Sequence, residues 1–265
     1  MNKIHNLGLS LMGFIAMSFI VSCGKSSEEN VDKLFEKMDS EVTGIDFVNT
    51  VPENDTLNQF IYHYLYNGNG VAIGDINNDG LNDLYFSGNE QSSRLYLNKG
   101  DFKFEDITEK SGTGTKQWIS GVTMVDVNND GWLDIYACSS GPLKSKDSKR
   151  NRLFLNQKNE TFKEVAKDWG VDDAGNATCA TFFDYDNDGD LDFYLGNHAD
   201  QFFSNINTPF TRTLNMTESS QQHFYRNDGN KFTDVSDKAG VVTMGYCLSA
   251  AAADYNNDGF MDLYV

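Results

Sequence analysis

Asp184-Tyr185-Asp186-Asn187-Asp188-Gly189-Asp190-Leu191-Asp192 places a carboxylate at every odd position of nine residues, with glycine at position six. The same frame occurs three more times. It recurs as Asp75, Asn77, Asp79, Gly80, Leu81, Asp83, then as Asp126, Asn128, Asp130, Gly131, Trp132, Asp134, and as Asp254, Asn256, Asp258, Gly259, Phe260, Asp262. In a tight loop, side chains at positions one, three and five converge, glycine allows the sharp turn, position seven offers its carbonyl and position nine closes the cage. Five or more hard oxygens meeting at one point suit Ca²⁺, which takes six to eight such ligands, better than Mg²⁺, which demands a near-ideal octahedron. Asp, Asn and Gly are also ordinary turn formers, but four copies with the same five spaced positions go beyond turn chemistry. An EF-hand would need Glu at position twelve, where this chain has Phe86, Ala137, Leu195 and Val265.

Working outward from each loop, an apolar residue and a tyrosine follow: Leu84-Tyr85, Ile135-Tyr136, Phe193-Tyr194 and Leu263-Tyr264. After the first three comes a hairpin pattern, from Leu95 to Asn98 and on to Phe104, from Leu153 to Asn156 and on to Phe162, and from Phe224 to Asn227 and on to Phe232. Loop starts are 51, 58 and 70 residues apart, and every unit is strand-rich with tight turns. Repeats of that size and content predict an all-β fold, a β-propeller with three complete blades and the start of a fourth, an incomplete ring. Residues 44–51 read as a strand ahead of the first repeat, of the kind that closes a propeller by pairing with its final blade.

Composition agrees with a folded acidic protein. The 265 residues hold 39 Asp+Glu against 21 Lys+Arg, for a formal charge of −18, which argues against a nucleic-acid partner. Aromatic residues at 13 % are too many for an acidic disordered tail. Side-chain ligands in the four loops carry most of that negative excess, and without cations they would repel one another.

The N-terminus reads as an export signal: Lys3, an apolar run from Leu7 to Val21, then Ser22 and Cys23. That run is too short to span a bilayer. Ile20-Val21-Ser22-Cys23 resembles the lipobox of bacterial lipoproteins, which implies lipidation at Cys23 and attachment to a membrane through acyl chains. The expected organisation is a signal peptide over 1–22, a tether and short helix over 23–43, and propeller repeats over 44–265. Val31, Leu34, Phe35 and Met38 fall on one helical face and predict that short helix. Cys138, Cys179 and Cys247 read as buried free thiols, with one bridge open but not deducible.

The loops with their flanking strands resemble the FG-GAP or VCBS repeat, the calcium-bearing blade of integrin α-subunit propellers and of lipid-anchored surface proteins of the Bacteroidetes type. The resemblance covers residues 44–265. It implies a seven- or eight-bladed propeller, one calcium per repeat loop and up to four here, and a place at the outer membrane or cell surface of a Gram-negative bacterium. Family membership names no ligand. The preferred expectation is a binding module for a glycan or protein ligand. The alternative is a domain of a glycan-processing enzyme, polysaccharide lyase-like, with active residues outside this chain.

Chemistry beyond the loops is sparse. His63, His198 and His223 belong to no catalytic motif and read as surface or half-buried. Phe202, Phe203, Phe210 and Arg212 stand in the longest insertion, which reads as cover for a blade edge more readily than as a ligand platform. Lys144, Lys146, Lys149, Arg150 and Arg152 read as a solvated face.

Overall fold

The computed structural model describes residues 34–142, 146–199, 218–243 and 245–265. It separates residues up to Met38 from a unit running from Asp39 to Val265. The expected signal peptide, Cys23, and the insertion around Phe202, Phe203, Phe210 and Arg212 lie outside the described residues. Among those residues, no helix is long and apolar enough to cross a membrane.

The larger unit is a series of antiparallel meanders. The first sheet contains β1 (Val71–Gly74), β2 (Asp83–Phe86), β3 (Arg94–Asn98) and β4 (Phe104–Asp106), paired in that order. The second contains β5 (Ile119–Val125), β6 (Asp134–Ser139), β7 (Arg152–Asn156) and β8 (Phe162–Glu164). The third contains β9 (Ala177–Phe183), β10 (Asp192–Asn197), β11 (His223–Asn227) and β12 (Phe232–Asp234). A fourth sheet has two strands, β13 (Ala251–Ala253) and β14 (Asp262–Tyr264). Each nine-residue loop joins the first strand of its sheet to the second. The first strands neighbour one another in turn, β1 beside β5, β5 beside β9 and β9 beside β13. This is the blade arrangement of a propeller, with three complete blades and the start of a fourth.

Blade follows blade through one-turn helices, α2 (Thr108–Ser111), α3 (Ala166–Trp169) and α4 (Ser236–Ala239), after α1 (Ser40–Thr43) near the start of the unit. An acid two residues upstream fixes each turn: Asp106, Glu164 and Asp234 accept from the amides of Thr108, Ala166 and Ser236 at 2.9 Å. A left-handed glycine ends each one, Gly112, Gly170 and Gly240.

The core lies between blades. Tyr85, Leu95 and Ile76 of blade one meet Ile135 and Phe154 of blade two. Tyr136 and Leu153 meet Phe193, Tyr225 and Phe232 of blade three. Phe183, Tyr194 and Phe224 pack towards Ala252 and Leu263 of the fourth sheet. The tyrosines that follow the loops are buried, and their hydroxyls donate across the link to the next blade, Tyr85 to Thr113 O and Tyr136 to Val171 O, both at 2.9 Å. Tyr264, in the fourth sheet, is 75 % exposed. First strands approach closely: a β-carbon on Gly121 would lie 2.2 Å from Thr178 O. Thr123 donates across that seam to Ala180 O at 3.2 Å, and Thr181 donates across the next one to Ala250 O at 3.1 Å.

Two expected elements differ. Residues 35–39 have no regular structure, so the helix predicted from Val31, Leu34, Phe35 and Met38 is absent over its described part. Leu34 and Phe35 are 93 % and 90 % exposed, and a helix so short does not repay its nucleation without an apolar face to bury. Residues 44–51 do not form a strand either. They lie along blade one through side chains: Phe47 stacks on Phe86 at 5.6 Å, Tyr96 Oη donates to Asp46 at 2.9 Å, and Asn49 Nδ2 donates to Asn89 at 2.6 Å. The alternation of Ile45 and Phe47 resembles a strand, but Asp46 and Asn49 are used as single hydrogen-bonding pegs.

Candidate metal centres

Each nine-residue loop is shaped by its own acids. In the first, the Asp75 carboxylate accepts from the amides of Asp79 and Gly80, at 3.1 and 2.7 Å, and Asp79 Oδ1 accepts from the amide of Leu81 at 2.8 Å. The pattern repeats at Asp126, Asp130 and Trp132, at Asp184, Asp188 and Asp190, and at Asp254, Asp258 and Phe260. Position seven therefore spends its amide on the loop and keeps its carbonyl. Those amides hold the Asp254 carboxyl below the usual carboxylate range, Gly259 foremost.

Position three divides the loops into two kinds. Asn77, Asn128 and Asn256 donate their side-chain amides to the position-five carboxylates, at 2.9, 3.1 and 3.0 Å. Asp186 has no such donor. Carboxylate oxygens of Asp184, Asp186 and Asp188 lie within 4.8 Å of one another. Oxygens bound to one Ca²⁺ at about 2.4 Å can be no further apart than about 4.8 Å. The donor set is hard oxygen throughout and fits a calcium ion.

Position nine is different. Asp83, Asp134 and Asp192 are almost completely buried, and each uses both oxygens on backbone amides. One oxygen accepts from position two of its own loop, Ile76, Val127 or Tyr185, at 2.9 to 3.1 Å. The other accepts from Asn98, Asn156 or Asn227 on the third strand, at 2.7 to 2.8 Å. These acids buckle the loop to the blade and retain lone pairs for a cation. Burial lifts their carboxyls, to about 6 for Asp83, about 7 for Asp134 and about 6 for Asp192, against the lowering effect of the amides. Asp262 accepts from Tyr255 N at 2.9 Å in the same way.

Two sets of asparagines complete the centres and were not singled out by the spacing rule. Position four is Asn78, Asn129, Asn187 or Asn257, each left-handed with φ of 56 to 60°, a conformation asparagine tolerates. Asn78 Nδ2 reaches Gly131 O of the next loop at 3.0 Å, and Asn187 Nδ2 reaches Gly259 O at 3.3 Å. On the third strands, Asn156 Nδ2 donates to Leu133 O and back to Ile76 O of loop one, at 3.0 and 2.8 Å. Asn227 Nδ2 does the same with Leu191 O and Val127 O, at 3.2 and 2.9 Å. Their recurrence, in every loop and on the third strand of every complete blade, was the readable signal.

A second candidate lies at the opposite end of the strands, a cleft of about 250 Å³ lined by Tyr62, Tyr64, Asn67, Ser120, Thr178 and His198 among others. Here His198 departs from expectation. It is 2 % exposed, its Nδ1 lies 2.7 Å from Ala199 O, and its ring packs on Tyr64 with centroids 4.3 Å apart. The residues that bury it come from a segment over a hundred positions away. His63 is exposed, and His223 is half-buried with Nδ1 2.7 Å from Asp234. In the basic segment, Arg150 pairs with Asp172 and Arg152 with Glu164, at 2.7 and 3.5 Å.

The FG-GAP-like repeat matches residues 75–137, 142–195 and 214–265. The chain belongs to the FG-GAP-like repeat family. It is also similar to cartilage acidic protein 1 of Xenopus tropicalis, 28 % identical over 202 residues, 74 % of this chain and 28 % of that protein. The Homo sapiens protein of the same name is 27 % identical over 202 residues, 74 % of this chain and 27 % of its own length. In Mus musculus the identity is 30 % over 135 residues, 48 % of this chain and 20 % of the relative. The chain thus spans under a third of the length of these relatives.

Proposed function

We propose that this FG-GAP-repeat propeller is an interaction module stabilised by calcium in its nine-residue loops and carried on the outer surface of a Gram-negative cell by a lipid on Cys23. The carrying observation is the convergence of the Asp184, Asp186 and Asp188 oxygens within 4.8 Å, in a frame repeated four times. The residues that would hold the ions are Asp75, Asn77, Asp79, Leu81 and Asp83 in the first loop, with their counterparts in the other three. A bound ion would supply positive charge to a concentration of carboxylates; the loops, their backbone amides and the asparagine bridges supply the geometry. The blades then act as a rigid scaffold for ligand contact, and the cleft of Tyr62, Tyr64 and His198 offers aromatic faces and hydrogen-bonding groups to a glycan or protein segment.

Calcium binding to native loops but not to the unfolded chain raises stability by mass action. The melting temperature of the purified chain should rise by several degrees or more between chelator and millimolar Ca²⁺, and far less with Mg²⁺. Equal melting temperatures in chelator and in calcium would remove the metal from the proposal.

A further inference from the structure

Two of the described cysteines meet across a blade boundary. Cys179 is in β9 of the third blade, and Cys247 lies in the segment that enters β13 of the fourth sheet. Gly196 faces Cys179 across the β9–β10 ladder. A β-carbon on Gly196 would lie 2.5 Å from the Cys247 sulfur and 2.8 Å from the Cys179 sulfur. The two sulfurs occupy the room that a side chain at 196 would take. Gly196 is not among the glycines with positive φ, so the space and not the backbone conformation explains the residue.

The two segments are fixed side by side. Thr178 Oγ1 donates to Cys247 O at 2.9 Å, and Cys247 N donates to Asn197 O at 3.3 Å. The Cys247 thiol donates to Ser249 O at 3.6 Å, and the two neighbouring sulfurs shift in opposite directions: the sulfur of Cys247 holds Cys179 below the usual thiol range, whereas the sulfur of Cys179 and burial push Cys247 up. Cys179 is half-buried and Cys247 is 7 % exposed. Cys179 is thus the sulfur that an external disulfide reaches first.

We propose that Cys179 and Cys247 form an oxidative cross-linking site, joined by a disulfide that ties β9 to the chain entering β13. The oxidant is a disulfide of the compartment, such as oxidised glutathione or an oxidised dithiol protein. The Cys179 thiolate attacks one sulfur of that disulfide, forming a mixed disulfide and releasing a thiolate. Cys247, having given up its proton, then attacks the Cys179 sulfur and expels the second thiolate. Two electrons and two protons pass to the oxidant. The link ties the third blade to the segment that leads into the fourth sheet. It is independent of the calcium reading, since neither sulfur belongs to a loop.

The test uses the purified full chain, reduced, equilibrated with oxidised glutathione, alkylated in denaturant and digested without reductant. A linked peptide pair containing Cys179 and Cys247 is expected, with Cys138 recovered in its alkylated form. C138S should form the same pair, and C247S should not form a pair that includes Cys179. Recovery of Cys179 and Cys247 as separate alkylated peptides, or a bridge from either one to Cys138, would overturn the proposal. The wild-type digest alone decides the matter if a variant fails to fold.

Discussion

The asparagine bridges between blades give the sharpest test of how the repeats cohere. Asn98, Asn156 and Asn227 occupy the same place on their third strands, and each side-chain oxygen accepts one local amide, from Gly100, Lys158 or Gly229, at 2.8 to 3.0 Å. They differ in what the side-chain amide reaches. Asn98 Nδ2 donates only to Asn82 O, at 2.8 Å in an exposed setting. Asn156, 4 % exposed, serves two carbonyls, one of them Ile76 O on the preceding blade. Replacement by alanine removes the shared local bond in every case, so that term cancels in comparison. Asn98→Ala loses one more exposed bond, worth about 0.5–1.5 kcal/mol. Asn156→Ala strips the donor from two carbonyls, one fully buried, at about 1–3 kcal/mol each. The expected gap between the variants is therefore about 1.5–4.5 kcal/mol, a sizeable part of the roughly 5–15 kcal/mol that holds an ordinary domain together. Urea unfolding at saturating calcium, followed by tryptophan fluorescence, measures it as a drop in midpoint at constant slope. Asn227→Ala should behave like Asn156→Ala. If Asn98→Ala destabilises as much as Asn156→Ala, the contacts to the preceding blade contribute nothing and the reasoning is wrong.

Affinity should rank with ligand charge, so the loop containing Asp186 should bind calcium most tightly; calorimetric titration of variants with one loop disabled at a time would refute this if that loop proved weakest. In chelator, stability should fall as pH rises from about 4 to about 7. Asp83, Asp134 and Asp192 have folded-state values above the ordinary 3.8, so the native state binds more protons than the unfolded chain throughout that window. Asp106, Asp228, Asp234 and Asp254 are lowered and oppose that trend only at the acid end of the window, below about pH 5. Calcium should flatten or reverse the slope, and a chelator profile that climbs with pH from 4 to 7 would count against the burial of those acids. Cys23→Ser should shift the protein out of the membrane fraction; unchanged fractionation together with an unmodified wild-type peptide would end the lipid-anchor reading.

What could be read in the sequence was what a few neighbouring residues decide among themselves. The loop frame, the strand after it, the buried Tyr85, Tyr136 and Tyr194, and the hairpins leading to Phe104, Phe162 and Phe232 all depend on local turn chemistry and on alternation, and the fourfold repetition amplified each signal. The one-turn helices were equally local, with Asp106, Glu164 or Asp234 before them and Gly112, Gly170 or Gly240 after, but a single turn gives periodicity nothing to detect. Contacts between blades were a different matter. Asn227 finds Val127 a hundred residues away, and His198 is buried by Tyr62 and Tyr64 from the far end of the unit. Nothing in the immediate sequence of either residue specifies such a partner. The segment at 44–51 was misread for the same reason, since its place is set by Phe86, Tyr96 and Asn89 and not by its own alternation. Within one blade the chain describes itself; between blades only recurrence carries information. An asparagine that returns at position four of every loop, and another that returns on every complete blade's third strand, was thus the one readable trace of how neighbouring blades are joined.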